Sequence, residues 1–452
     1  MRFILKKSIL AILILFVFIS CQGRAAVIVN NEIIEQVIEI EEVVEEIEEE
    51  LIVEIVDITP VTFAIKSAPP DLRVFLNDEL LSPISSSSAD GLRNYRIRQT
   101  GIMRFSADGY KSLQFSATEL PVRRNIASIK LENENGIAQL KGEYRTGIQP
   151  KSAYFTPDGQ RLIVPLLGQH GVDVFKQANG LLTYEKRLTV PESRSPAFVE
   201  VMFDEKRREF WVSNMQENRV HLYDLDTLEF KTSLNVGGIF PKVIVQSPDG
   251  SITVVSNWVS MDISVFDSET KVLQRRIPVG GTPRGMAFSP DGSLLYTAIY
   301  DAPLIAVVDM TTNRVTKRYR LYDGWGAARH IIYHNGHLYV SDMGRGTVNI
   351  VDAETGALLR SQRVGPNLNT IILTPCKRYV FASSRGTNNP VDYTLPGPDF
   401  GAVYMLNAED LSLIERIWGR NQPTGLDVSP DGKLLVFTDF LDENLQLYWL
   451  PN

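Results

Sequence analysis

Cysteine is almost missing from this 452-residue chain, with Cys21 and Cys376 the whole supply. Covalent haem needs Cys-x-x-Cys-His, and no such run occurs. Histidine is nearly as scarce. His170, His221, His330, His334 and His337 are scattered, and a multi-His copper site is not available from them. Gly-x-Ser-x-Gly nucleophile motifs are absent, as are glycine-rich phosphate loops and the βαβ pattern that would host one. No redox or nucleotide cofactor is therefore expected.

What is abundant is a repeat of about 43 residues from roughly Gly147 to the C-terminus. Its mark is a turn: Thr156-Pro-Asp-Gly159, Ser247-Pro-Asp-Gly250, Ser289-Pro-Asp-Gly292 and Ser429-Pro-Asp-Gly432. Degenerate copies sit at Asp204-Glu-Lys206, Asn335-Gly336 and Thr374-Pro-Cys-Lys377, making seven. Each copy has an apolar run, the turn, a second run, and an alternating strand closing on Asp or Asn. Examples of the last are Val220 to Asp224, Ile305 to Asp309 and Val403 to Asn407. Proline fixes φ, Asp-Gly reverses the chain, and the closing Asx bonds the next turn. The unit is four antiparallel strands, so the fold class is all-β, a seven-bladed β-propeller over 135–452. After the last turn only Leu434 to Phe437 and Leu445 to Leu450 remain for strands. The missing edge strand is expected from Ile137 to Tyr144. Arg385 to Gly401 interrupts one copy with a Pro- and Gly-rich loop.

Residues 1–20 have Arg2, Lys6 and Lys7 before an apolar run from Ile9 to Ile19, too short for a confident membrane span and typical of a signal peptide. The ending Phe18-Ile-Ser-Cys21 resembles a bacterial lipobox, with Phe18 in place of the usual leucine. This implies lipidation of Cys21 and a place in the bacterial cell envelope. Cys376 is then a lone thiol, expected to be buried as a small apolar residue. The acidic tether, 21–58, has eleven Glu and Asp57 between Val27 and Ile58 and no Lys or Arg there. The chain's −8 is made up of −12 from that stretch and +4 before it, leaving residues 59–452 neutral. Ile33, Val37, Ile40, Val44, Ile47 and Leu51 follow a heptad, so a partly helical stalk is expected.

Residues 59–125 read as a small β domain: Val61 to Ile65 and Arg73 to Leu76 alternate, and Asn77-Asp78 suits a hairpin. Ser67-Ala-Pro-Pro70, Val74-Phe-Leu-Asn-Asp78 and Gly109-Tyr110 resemble the PEGA domain, a surface-associated β-sandwich. The repeats resemble the YVTN family of seven-bladed propellers, which includes YncE-like exported proteins. Gly280-Gly-Thr-Pro-Arg284, Ser289 to Ala298 and Val307-Val-Asp309 carry that likeness. The resemblance implies a fold but no single function, since such proteins include ligand or single-stranded-DNA binders, sugar lactonases and redox enzymes.

Propellers bind ligands where their innermost strands begin. Aligning the first position of that strand gives Lys151, Ala197, Lys242, Arg284, Arg329, Asn369 and Thr424. Four of these are cations and none is acidic. A ring of like charge calls for an anionic ligand or for carboxylates on neighbouring loops, with Asp301, Asp342 and Asp439 as candidates. Asn257, Trp258, Tyr300 and Arg385 are further loop groups suited to a polar site. The expected function is anion recognition (a small molecule, glycan or protein partner) by Lys151, Lys242, Arg284, Arg329, Asn369, Asn257 and Tyr300, with membrane attachment through Cys21. The neutral charge of the folded part argues against a general nucleic-acid binder. The alternatives are a lactonase-like hydrolase using Glu200 and Asp427, and a structural scaffold with its channel plugged by the 385–401 insert.

Overall fold

The repeated turn sets the geometry of the chain. In four copies the first hydroxyl donates to the Asp carboxylate at 2.6 Å and the Gly amide donates back to the first carbonyl at 2.7–2.9 Å. The glycines take φ of 70–75°, a left-handed conformation that a side chain would strain. The Asx closing the third strand also acts as expected. Oδ1 of Asp309, for example, accepts from the amides of Thr311 and Thr312, both at 2.8 Å.

The computed structural model describes residues 61–97, 101–123, 125–191 and 193–451. The leader, Cys21 and the acidic stretch lie outside the described residues. Seven four-stranded antiparallel sheets follow one another as the blades of a propeller. The fourth is typical: Pro283–Phe288 innermost, then Leu294–Ile299, Leu304–Asp309 and Arg314–Arg320. Side chains between successive blades form a chain of apolar clusters, such as Val254, Ile263 and Val265 of the third against Met286, Leu295 and Ala306 of the fourth. Innermost strands of adjacent blades come so close that a Cβ on Gly425 would lie 2.3 Å from the Ser152 Cα. The ring closes as the strand count required. Gln139–Arg145 pairs antiparallel with Asn444–Trp449 and is the outer strand of the last blade.

Ahead of the ring is a β-sandwich. One sheet holds Val61–Ala68 between Arg93–Ile97 and Ile126–Lys130; the other holds Arg73–Leu76 and Ile102–Ser106. Ile126–Lys130 follows position 125 and belongs to this sandwich. Phe63, Ile65, Tyr95, Met103 and Phe105 fill its core. Asn77 and Asp78, both at positive φ, form the tight hairpin. The sandwich rests on the propeller through polar contacts, including Trp418 Nε1 to the Tyr110 hydroxyl at 3.0 Å and Lys130 Nζ to Glu143 at 3.2 Å.

Two expectations are corrected. Cys376 is exposed, not buried. It occupies the Asp place of its turn, beside the Thr374 hydroxyl at 3.3 Å, where side chains face water. Ala197 is not a ring member: Phe198 pairs with Asn214 as Pro241 pairs with Asn257, which puts Val199 in register with Lys242.

Candidate functional site

The register fixes two tiers around the channel mouth. In every blade one residue opens the innermost ladder, as Pro241, Pro283, Ala328 and Leu368 do. The residue after it forms the inner tier: Lys151, Val199, Lys242, Arg284, Arg329, Asn369 and Thr424. The second tier follows the second strand of each blade: Leu167, Met215, Trp258, Tyr300, Met343, Arg385 and Phe440. Each of these seven amides donates to the carbonyl two residues before its blade's inner-tier position, at 2.8–3.3 Å. Second-strand serines pin the inner tier of the next blade. Ser213 Oγ donates to the Lys242 carbonyl at 2.6 Å and Ser256 Oγ to that of Arg284 at 3.0 Å.

The two tiers gather five cations: Lys151, Lys242, Arg284, Arg329 and Arg385. Among the described residues only Arg284 has a carboxylate, its Nη2 donating to Glu200 Oε1 at 2.8 Å across the channel. Arg329 Nε donates to Asn369 Oδ1 at 2.5 Å, and its Nη1 lies 3.6 Å from the Met343 sulfur. Lys242 Nζ touches the Met215 sulfur and lies 5.2 Å from the Trp258 ring centre. Lys151 has no hydrogen-bond acceptor among the described residues and faces the Phe440 ring at 5.3 Å. Arg385 stands 5.4 Å from Phe440 and 5.9 Å from Tyr393. Thioethers and ring faces are weak partners for buried charge. Arg284 Nη1, Arg385 Nε and Asn369 Nδ2 are buried donors without an acceptor among the described residues.

Proton affinities record the same crowding. Burial, then the charges of Arg385, Arg329, Arg284 and Lys242, hold Lys151 well below the ordinary lysine range. Burial and the Arg284 and Arg329 charges lower Lys242 likewise. Arg385 is brought down to about 10, chiefly by burial. His330 falls to about 4 through burial and the adjacent guanidinium groups, so it is neutral at pH 7. Burial pushes Glu200 up, but the Arg284 charge and the Tyr154 hydroxyl, 2.6 Å from Oε2, outweigh it and keep the carboxylate ionised. Burial lifts Asp427 to about 7, against hydrogen bonds from the Phe155 and Val428 amides.

The three loop carboxylates weighed as partners for the ring do other work. Asp301 accepts from the Thr282 amide, Asp342 from those of Ala327 and Arg345, and Asp439 from the Arg420 amide and Gln446. Lys151, Lys242, Arg284, Arg329, Asn369 and Tyr300 come together at the mouth. Asn257 does not join them: it is fully buried, and its amide donates to Asp262 and Ser264 at 2.8 Å each. The second tier as a set was missed, because its seven residues share a position but no chemistry. The signal that finds it is the residue after the second strand in six blades, and the second residue after it in the first. Among the described residues no three His, Cys, Asp or Glu side chains converge as metal donors.

Seven radial blades with a polar mouth define a β-propeller protein. Residues 122–316 match the family described as Lactonase, 7-bladed beta-propeller. Antigen Lp49 of Leptospira interrogans is 34% identical over 358 residues, which cover 76% of this chain and 77% of that protein. The chain belongs to the same family as Antigen Lp49.

Proposed function

We propose that the channel mouth recognises an anionic ligand or partner, and that the protein acts as an exported binding protein. The observation that carries this is the shortage of counter-charge. Among the described residues five cations meet one ionised carboxylate, and three buried donors have no acceptor. Holding such a cluster together costs several kcal/mol unless an anion offsets it. Arg284, Arg329 and Arg385 suit carboxylate or phosphate groups, and Trp258 and Tyr300, with rings 4.5 Å apart, offer a face for a ligand body. Lipidation at Cys21, the YncE-like and PEGA-like likenesses, and a place at the bacterial envelope belong to the same proposal. A relative named as an antigen supports surface exposure. The test is a screen of acidic glycans, nucleotides and dicarboxylates against the full chain and Arg284→Ala/Arg329→Ala. Binding is expected only for the unaltered protein; equal binding by both would end the idea.

The family match favours a second reading, hydrolysis of a lactone in the channel. Asp427 is protonated to a useful extent near pH 7 and Glu200 is ionised. Lactone hydrolysis by purified protein, lost in Asp427→Asn and measured before and after chelation, separates it from simple binding.

A further inference from the structure

Four of the five cations are almost closed off: Arg284 is 5% exposed, Arg329 and Arg385 7%, and Lys151 8%. A hydrated anion cannot reach them through a fixed wall, so part of the rim must move. Most of the rim is short turns tied into the strand ladders. The exception is the segment 386–400, which leaves the sixth blade after Ser384, returns at Ala402 and contains no strand.

This strap borders the mouth at one end and the small β domain at the other. Its Tyr393 ring faces Arg385, and the Tyr393 carbonyl accepts from Gln422 Nε2. Gln422 is itself at the mouth, its carbonyl bonded to the Phe440 amide at 3.1 Å. At the far end Lys66 of the sandwich, 3% exposed, donates to the Gly397 carbonyl and to Asn421 Oδ1, both at 2.6 Å. Asn389 Nδ2 ties the strap to the Ala89 carbonyl at 3.4 Å. The strap is loosely held: Val391 is 83% exposed and even Tyr393, against Arg385, is 55% exposed. Few buried contacts and side-chain anchors mark a segment that opens locally.

We propose that the 386–400 strap is a lid over the cationic mouth, with Tyr393 at its inner edge, and that the small β domain latches it by holding Gly397 through Lys66. What enters beneath the lid rests on the anion-site reading; the opening itself does not. The lid makes the small domain part of the binding device. Access to the channel depends on contacts more than 300 positions away in the chain.

Pulse acetylation of the full chain, read lysine by lysine by mass spectrometry, tests this without a known ligand. Lys176, with a 62% exposed side chain, is the reference. Relative to it, Lys66→Met should raise the labelling rates of Lys151 and Lys242 about tenfold, the effect of one lost charge-assisted hydrogen bond on an opening equilibrium. Tyr393→Ala, at a half-exposed site that leaves the core intact, should raise them about threefold through loss of its contact with Arg385. Unchanged rates in both variants would overturn the lid. Adding inorganic pyrophosphate separates the two ideas. Faster labelling without protection by pyrophosphate supports the lid and counts against the anion site; protection without faster labelling does the reverse.

Discussion

Replacing Lys151 by methionine should make the ligand-free protein more stable. The side chain has no acceptor among the described residues, lies against Phe440 and is repelled by four neighbouring cations. Each like-charge neighbour costs about 1–2 kcal/mol at an effective dielectric near 20, and Glu200 offsets one of them. Methionine keeps the length and the contact with the ring while removing the charge. Exchanges of buried charge for apolar bulk of similar volume gain about 1–4 kcal/mol where they gain at all. For a domain of this size that is a rise in melting temperature of about 2–8 °C. The sign with pH follows from the lowered lysine pKa. The folded state holds its proton less firmly than the unfolded chain, so the unaltered protein gains stability as pH rises from the folded value toward about 10.4. The advantage of Lys151→Met is therefore largest at low pH and smallest above pH 10. Thermal melts of both proteins at pH 6, 8 and 10, in low salt, read it. A methionine variant that melts lower at every pH would show that Lys151 is a paired structural group, and the case for an unbalanced cluster would fall with it.

Other outcomes follow from single contacts. Asp427, lifted to about 7 by burial, binds its proton more firmly folded than unfolded, so its contribution fades as pH climbs from about 4 to 7. Asp427→Asn should flatten that decline in a pH series of melts. Glu415 accepts from Asn133 and from the Ile137 and Ala138 amides at 2.8–3.0 Å, so Glu415→Ala should cost about 2–4 kcal/mol in denaturant unfolding. Gly425→Ala, driving a Cβ into the Ser152 backbone, should cost more than about 2 kcal/mol, while Gly336→Ala, with open space around it, should cost only the strain of its positive φ. Thiol-reactive probes should label native Cys376 within minutes, since Thr374 and Arg378 outweigh burial and hold its pKa below the ordinary thiol value.

The turns were legible because they are local. Pro, Asp and Gly specify φ and two hydrogen bonds within four residues, and four such turns with three degenerate copies count seven blades. The closing strand was legible by subtraction, since the last blade had room for three strands. The inner tier was nearly legible. It went wrong at Ala197, because Pro196 marks the wrong start in that blade; five residues back from Asp204 lies the true member, Val199. The Arg284–Glu200 pair was out of reach, because it spans blades two and four and depends on the channel's width. Asn257 misled for a related reason. Its place beside the mouth was read correctly, but its side chain faces into the blade toward Asp262, a distinction of one residue in strand register. The exposure of Cys376 follows from the turn's geometry and could have been inferred from its alignment with Asp158.

The way the ring shuts has a consequence for biogenesis. The segment Gln139–Arg145 emerges early from the ribosome and must wait, unpaired on its inward edge, until Asn444–Trp449 has been made. A chain cut short anywhere in the seventh blade would leave two bare sheet edges facing each other across a gap. Such edges recruit strands from other molecules. Truncated copies should thus be sticky and readily cleared, and fusions at the C-terminus are safer than deletions there.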